Sequence, residues 1–232
     1  MTQPITIILP VYKGKEMTEQ CLESIYKNTI NPYNVIIIAD GQYEEDYNYL
    51  LDFQDEFNLD IMIIIKKKRT GLIESNNIGM KIAKGDVLLT QNDVVFPKLE
   101  QDCWLTRLVK KSQDSKVGIV GCLNSVRQAQ PIDFCGTWCM YIKRKTINEI
   151  GYFDERFSPA MMDDVDYSKR VLLHQLTIEK ADFVVEHLGS ATLKNMNDKQ
   201  LKENSAKLYE EKWADFNDNM NKEEIKKYDY WR

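Results

Sequence analysis

The chain holds little of the chemistry that makes many functions recognisable at sight. Only two histidines, His174 and His187, occur in its 232 residues. The five cysteines form no Cys-x-x-Cys pair, and Cys135 with Cys139 has no second Cys/His pair nearby, so a structural zinc site is not expected. Unpaired thiols suit a reducing compartment, and the expected location is cytoplasmic, with peripheral membrane association left open. There is no basic excess: 31 Lys and Arg against 36 Asp and Glu give a net charge of −5, which argues against general nucleic-acid binding. The basic run Lys66–Arg69 is local. No apolar stretch approaches the roughly 18 residues needed to span a bilayer. The first apolar run, ITIIL, has no cationic region before it and is expected to be a buried strand rather than a signal peptide. The ten glycines form neither GxGxxG nor GxxxxGK[ST] after any strand, which removes the usual supports for dinucleotide and P-loop phosphate binding.

What is present is a regular alternation of short apolar runs and helical patterns. Ile5–Leu9, Val35–Ala39, Ile61–Ile65 and Val87–Thr90 read as strands, with Pro10 stopping the first and Asp40-Gly41 turning after the second. Met17–Asn28, Tyr47–Phe57 and Leu72–Ala83 read as helices between them. This spacing predicts an α/β fold, a single domain with a mostly parallel central sheet covered on both faces. Further along, Leu99–Lys111 reads as a helix, Val117–Cys122 as a strand, Phe134–Lys143 as one continuous strand and Lys145–Ile150 as a short helix. Val165–Leu173 is a further helix and Phe183–Glu186 a last short strand. From Asp198 the composition turns to Lys, Glu and Asn, with Leu201, Leu208, Tyr209 and Trp213 at helical spacing. This is a tail helix, expected as an appendage to the domain and a route to a homo-oligomer or complex.

Ligands of open α/β sheets lie beyond the carboxyl ends of the strands, where Pro10, Asp40 and Asp93 all fall. Two acidic signals stand out. Asp93 ends the apolar run LLTQNDVVF, and Asp163, Asp164 and Asp166 crowd into SPAMMDDVDYSKR ahead of a helix. One carboxylate to hold a cation and another to act as a base is what a metal-dependent transferase needs. The structural alternative for the cluster is helix capping, which favours carboxylates in the first turn.

An ordered set of segments decides between these readings: ITIILPVYKG, IIIADG, GLIESNNIGMKIAKGD, LLTQNDVVF, GTWCMYIKRKTINEIGYFDERFSPAMMDDVDYSKR and VVEHLGSAT. Together they resemble the family 2 glycosyltransferases, inverting enzymes of the A-type fold that use nucleotide sugars. The resemblance runs from Ile5 to about Ala191. It implies a glycosyltransferase domain over 1–191, nucleotide-binding to about 98 and acceptor-binding and catalytic beyond it, with a helical extension over 192–232. It also implies transfer of a sugar from a UDP- or dTDP-type donor to a hydroxyl acceptor, in glycan or polysaccharide assembly, with Mn²⁺ or Mg²⁺ as cofactor.

Residue by residue, the resemblance implies that Pro10 and Tyr12 wall the nucleotide base and that Asp40 bonds base or ribose. Asn77 contacts the nucleotide or braces its loop. Asn76 stands where many relatives carry Arg. The family's usual Asp-x-Asp is here Gln91-Asn92-Asp93, similar to the Asn-Asn-Asp variant of rhamnosyltransferase-like members. Asp93 is the expected metal ligand, with His187 as a second, and imidazole suits Mn²⁺ better than Mg²⁺. Asp164 falls on the position of the catalytic base, with Asp163 on the acceptor side. Trp138 stands among acceptor-binding residues, where an indole could stack on a sugar or pack in the core. Two alternatives stay open: a nucleotide-sugar-binding pseudoenzyme or assembly partner, and a sugar nucleotidyltransferase. The latter lacks the Gly-rich loop it would need after the first strand.

Overall fold

A computed structural model describes residues 4–41, 47–57, 60–127, 132–188, 198–217 and 220–230. Its first half follows the alternation of the sequence: β1 (Ile5–Val11), α1 (Lys15–Asn28), β2 (Tyr33–Ala39), α2 (Asn48–Phe57), β3 (Ile61–Ile65), α3 (Leu72–Ile82) and β4 (Val87–Thr90). Then come β5 (Val94–Val95), α4 (Trp104–Lys111), β6 (Val117–Cys122), β7 (Val126–Arg127), β8 (Phe134–Cys135), β9 (Cys139–Ile142) and α5 (Arg144–Ile150). The chain continues through α6 (Asp163–Leu173), β10 (Thr177–Ala181), β11 (Glu186–His187), α7 (Asp198–Trp213) and α8 (Lys222–Ile225).

Seven strands form the central sheet in the order β10-β6-β9-β4-β1-β2-β3. All pairings are parallel except those of β9, which runs antiparallel to both β4 and β6. The expected α/β fold, mostly parallel and flanked by helices, is the one observed. Alternation within β1 builds a core on each face. Ile7, Leu9 and Val11 pack with Leu22, Ile25, Leu50 and Trp104 on one side. Ile8 packs with Ile73, Met80, Tyr167 and Val171 on the other. Gly79 lets α3 lie against β1, since a Cβ there would stand 2.5 Å from Ile8 Cγ2. Among the described residues, no helix is long and apolar enough to cross a membrane.

Several expectations need correcting. Pro10 does not stop β1, because the strand continues to Val11 with Pro10 opposite Ile38. The bond from Asp40 N–H to Val11 C=O puts the odd residues of β1 towards β2. The nitrogen of Pro10 therefore faces the β4 side, beyond Ile8, the last residue paired there. A missing N–H costs nothing at that place. The expected strand 134–143 is two strands, broken at Gly136-Thr137-Trp138. The helix expected from Leu99 begins at Trp104, and the short strand expected over Phe183–Glu186 lies instead at Glu186–His187. β10 has no strong signal in the sequence, because TIEKA carries few apolar residues. The boundary expected near 191 lies outside the described residues.

The tail helix is no loose appendage. Lys212 Nζ lies 2.7 Å from Asp166 Oδ1 and 3.0 Å from Asp154 Oδ2, and Trp213 Nε1 donates to Asp166 Oδ1 at 3.1 Å. Asp166 also pairs with Arg170, which donates onward to the carbonyls of Ile150 and Tyr152. Asp166, Arg170 and Lys212 are all buried, so the three charges depend on one another. Burial pushes the Asp154 carboxyl up, but Arg156 and Lys212 outweigh it and hold the group at about 2. Asp166→Ala would leave Arg170 buried without a counter-charge and Lys212 with Asp154 alone. It is expected to lower the unfolding free energy by about 3–5 kcal/mol in urea titrations.

Candidate active site

Asp93 follows β4, the strand wedged between β1 and β9. Its turn is held in place by the two residues that precede it. Asn92 Nδ2 donates to Lys13 C=O (2.9 Å) and Thr18 Oγ1 (3.0 Å), and Gln91 Nε2 donates to Thr137 Oγ1 (3.2 Å). Gln91, which stands for the first acid of the motif, and Asn92 beside it therefore brace the turn against the break between β8 and β9 and the loop after β1. Asp93 itself is buried. The short ladder β5–β11 brings His187 opposite Val94, so that His187 Nε2 stands 3.3 Å from Asp93 Oδ1.

That approach has the distance of an ion pair but not the direction of a hydrogen bond, and His187 Nε2 is a buried nitrogen without a hydrogen-bond partner. A carboxylate oxygen and an unsatisfied imidazole nitrogen side by side are a fitting donor set for one divalent cation. Among the described residues no third His, Cys, Asp or Glu joins them. The remaining positions would fall to donor and water oxygens. The other histidine is structural: His174 ends α6 and lies between Asp229 (3.2 Å) and Glu149 (3.5 Å).

Trp138 links this pair to the acidic cluster. Its indole stacks on the His187 ring at 5.4 Å, and the Arg127 guanidinium lies 5.0 Å from its centroid. The Trp138 carbonyl accepts from Thr90 Oγ1. With the indole engaged by both neighbours, the geometry favours positioning of His187 over open stacking on a sugar. Arg127 is invisible to sequence reasoning, because a lone arginine on a two-residue strand has no periodicity or motif around it. Its charge reaches Asp164.

Asp163, Asp164 and Asp166 occupy the first turn of α6, where the helix dipole favours anions. They are delivered by Met161 and Met162, both with positive φ (84° and 64°), a strained backbone of the kind that concentrates at functional sites. Asp166 points into the buried cation cluster. Asp164 accepts from Val165 N–H at 2.8 Å and is half-buried. Burial raises its pKa above the usual carboxylate range, while the Val165 N–H and Arg127 pull it part of the way back. Asp163 is buried more deeply, and its Oδ2 has no partner. Burial and then the neighbouring Asp164 charge raise its pKa further still.

On the far side of β1, Asp40 is buried and anchors a loop. It accepts from Lys66 Nζ (2.6 Å), Thr70 N–H (2.9 Å) and Gly71 N–H (2.8 Å). Gly71 has φ 104°, and a Cβ there would meet Pro159 Cα at 2.5 Å, so this loop and the one leading to α6 touch. Tyr12 lies close by, with the Arg69 guanidinium 3.7 Å from its ring centroid. Pro10 is buried within β1 and presents no open wall. Asn77 is also spent: its Nδ2 donates to Phe153 C=O and Glu155, and its Oδ1 accepts from Phe153 N–H. These bonds brace α3 against the turn at Phe153–Glu155. The structure thus joins Asp93, His187 and Trp138, and through Arg127 reaches Asp164. Pro10 and Asn77 belong to the frame.

Asp163 yields a stability test. Its folded-state pKa is raised, so the folded chain holds a proton that the unfolded chain releases, and stability falls as pH climbs from the ordinary carboxylate range towards the raised value. Asp163→Asn should remove that slope and raise the unfolding free energy at pH 7 by on the order of 1 kcal/mol. Paired urea titrations at acid and neutral pH would read this directly.

Known proteins share this fold and parts of this sequence. The chain is 24% identical over 203 residues to an uncharacterized glycosyltransferase, R363, of Acanthamoeba polyphaga mimivirus, covering 69% of this chain and 75% of that one. It is 26% identical over 121 residues to the uncharacterized glycosyltransferase EpsJ of Bacillus subtilis, and 23% identical over 120 residues to the glycosyltransferase GlyG of Streptococcus pneumoniae. Those matches span 51% of this chain but only 33% and 39% of the two relatives. Among solved structures, the mannosyltransferase PcManGT of Pyrobaculum calidifontis, in complex with GDP-Man and Mn²⁺, superposes with a TM-score of 0.69 at 19% identity, covering 83% of this chain and 59% of that one. GalNAc-T7 with UDP, GalNAc and Mn²⁺ also gives 0.69, at 12% identity over 92% of this chain and 48% of its own. The fold is therefore that of the A-type glycosyltransferases. Residues 6–131 match the family described as Glycosyl transferase family 2, and the chain belongs to that family.

Proposed function

We propose that the protein transfers a sugar from a UDP- or dTDP-type nucleotide sugar to a hydroxyl acceptor, with inversion. The observation that carries this reading is the Asp93–His187 pair with its unsatisfied imidazole nitrogen. It is linked through Trp138 and Arg127 to a carboxylate of raised pKa on α6. The solved neighbours named above contain nucleotide sugars or nucleotides together with Mn²⁺, which supports a metal-dependent donor site. Asp93 and His187 would hold Mn²⁺ or Mg²⁺, which when bound offsets the negative charge of the leaving diphosphate.

In this reading Asp164 takes the proton of the acceptor hydroxyl as its oxygen attacks the anomeric carbon from the face opposite the leaving group. A carboxylate lifted above its usual range is a better base than an ordinary one, because proton transfer is most effective when the pKa approaches the working pH. Arg127 keeps that group from being lifted too far. Asp163 takes the acceptor side. Asp40 shapes the donor loop that Lys66 and Gly71 close, and Tyr12 with Arg69 lines the base. Three broader readings belong to this proposal as well. The donor region covers residues 1–98, the acceptor region 99–191 and the extension 192–232. Asp93 without a second acid suggests the rhamnosyltransferase-like grouping, and the role is in glycan or polysaccharide assembly.

Two variants test it. Asp164→Asn should reduce transfer by roughly 10² to 10⁴-fold while leaving the circular dichroism spectrum and UDP binding intact. Wild-type transfer should fall as pH drops through a pKa above the ordinary carboxylate range. Asp93→Ala should weaken Mn²⁺-dependent UDP or dTDP binding at least about tenfold by calorimetry. Unchanged rates for the first, or unchanged metal-dependent binding for the second, would overturn the corresponding assignment.

A further inference from the structure

β3 is the outermost strand of the sheet, and among the described residues no strand pairs with its outer side. Its sequence, Ile61-Met62-Ile63-Ile64-Ile65, has no charge, proline or glycine to blunt the edge. Met62 and Ile65 are 49% and 52% exposed. Such edges are ready templates for another strand, and natural proteins normally interrupt or cover them.

The hydrogen-bond register shows which backbone groups are on offer. Val35 N–H donates to Asp60 C=O, and Lys66 N–H donates to Ala39 C=O, with Val35 opposite Ile61 and Ala39 opposite Ile65. In a parallel ladder this spends the even residues of β3 on β2. The N–H and C=O groups of Ile61, Ile63 and Ile65 therefore point outward.

We propose that a second copy of this chain pairs with this edge, antiparallel and about a two-fold axis at Ile63. The register places Ile61 opposite Ile65 and Ile63 opposite its own copy, so every outward residue falls in a hydrogen-bonded pair and about six hydrogen bonds form. Slipping by one residue would oppose outward groups to groups already used, and so it is disfavoured.

The same register is complementary in charge. Asp60, exposed at the start of one strand, faces the end of the other copy's strand, where the exposed Lys67 and Lys68 follow, while Lys66 stays paired with Asp40. The two-fold repeats this acid-to-lysine approach. A parallel approach would set acid beside acid and lysine beside lysine. On the α3 face Met62 of one copy meets Ile64 of the other. Met62 and Ile82 line a groove of about 330 Å³ that continues this apolar surface. The contact is isologous and closes at two copies. It joins two seven-stranded sheets into one and leaves Asp93, His187 and Asp164 outside the interface. The oligomer expected through the tail helix is thereby assigned to another surface.

Sedimentation equilibrium of the whole chain, from micromolar to sub-millimolar concentration, should approach twice its 27.2 kDa mass. In NMR hydrogen exchange the amides of Ile61 and Ile63 should gain protection as concentration rises, while those of Met62 and Ile64 stay protected throughout. Ile63→Pro removes only an outward N–H, and Met62→Lys puts charge on the apolar face. Each should weaken the dimer at least tenfold, and Met62→Lys decides the matter should the proline variant fail to fold. Asp60→Lys should weaken it as well, and adding Lys68→Asp should restore it. A wild-type monomer throughout, growth past two copies, a dimer indifferent to Met62→Lys, or one whose Ile61 and Ile63 amides stay unprotected would each overturn the proposal.

Discussion

The buried carboxylate of Asp166 is the contact on which the second half of this protein depends. It neutralises Arg170 within its own helix and Lys212 from the tail, and it accepts from the Trp213 indole. Arg170 carries the restraint to Ile150 and Tyr152, and Lys212 carries it to Asp154. Asp154 in turn anchors Arg156 and the turn before the strained segment that opens α6. The position of Asp163 and Asp164 is thus set from behind, by charges buried within the protein. A cluster of this kind adds little net stability over apolar packing, but it penalises any arrangement that separates its members.

Around Asp40 the same logic appears with other chemistry. Asp40 gathers Lys66, Thr70 and Gly71, and Gly71 lies against Pro159 on the loop leading to α6. Asn77 reaches from α3 to Phe153 and Glu155. Two nearly independent stretches of chain are therefore pinned together by short polar contacts at the carboxyl ends of the strands. The unsatisfied atoms left over are informative. Of the buried side-chain atoms without a partner, His187 Nε2 and Asp163 Oδ2 border the candidate chemistry, whereas others, such as Trp104 Nε1 and Tyr209 OH, do not.

Much of the fold is legible in the sequence because β1, β2 and β4 are buried on both faces and the helices around them show one apolar stripe. Such segments repeat the same physical demand at every second or third residue, and local pattern is enough to expose them. Legibility ends where an element is short or its partners are distant. β10 is half-exposed and reads as polar. β8 and β9 share one apolar run, and only the turn at Gly136-Thr137-Trp138 separates them. Pro10 reads as a stop because nothing local reveals that β4 pairing ends before it.

For the site, the sequence by itself determined which carboxylates stand at strand and helix ends, since a turn signal or a first helical turn is local. That much singled out Asp40, Asp93 and the Asp163–Asp166 cluster. It could not say which would face a ligand, because direction depends on residues far along the chain. Tertiary structure alone decided that Asp166 turns inward to Lys212 on the distant tail helix. It also decided that Asn77 and Asn92 are braces, that His187 meets Asp93, and that Arg127 and Trp138 stand between that pair and Asp164. Each of these is a non-local contact between side chains whose sequence separation carries no period, and a linear pattern has no means of recording it.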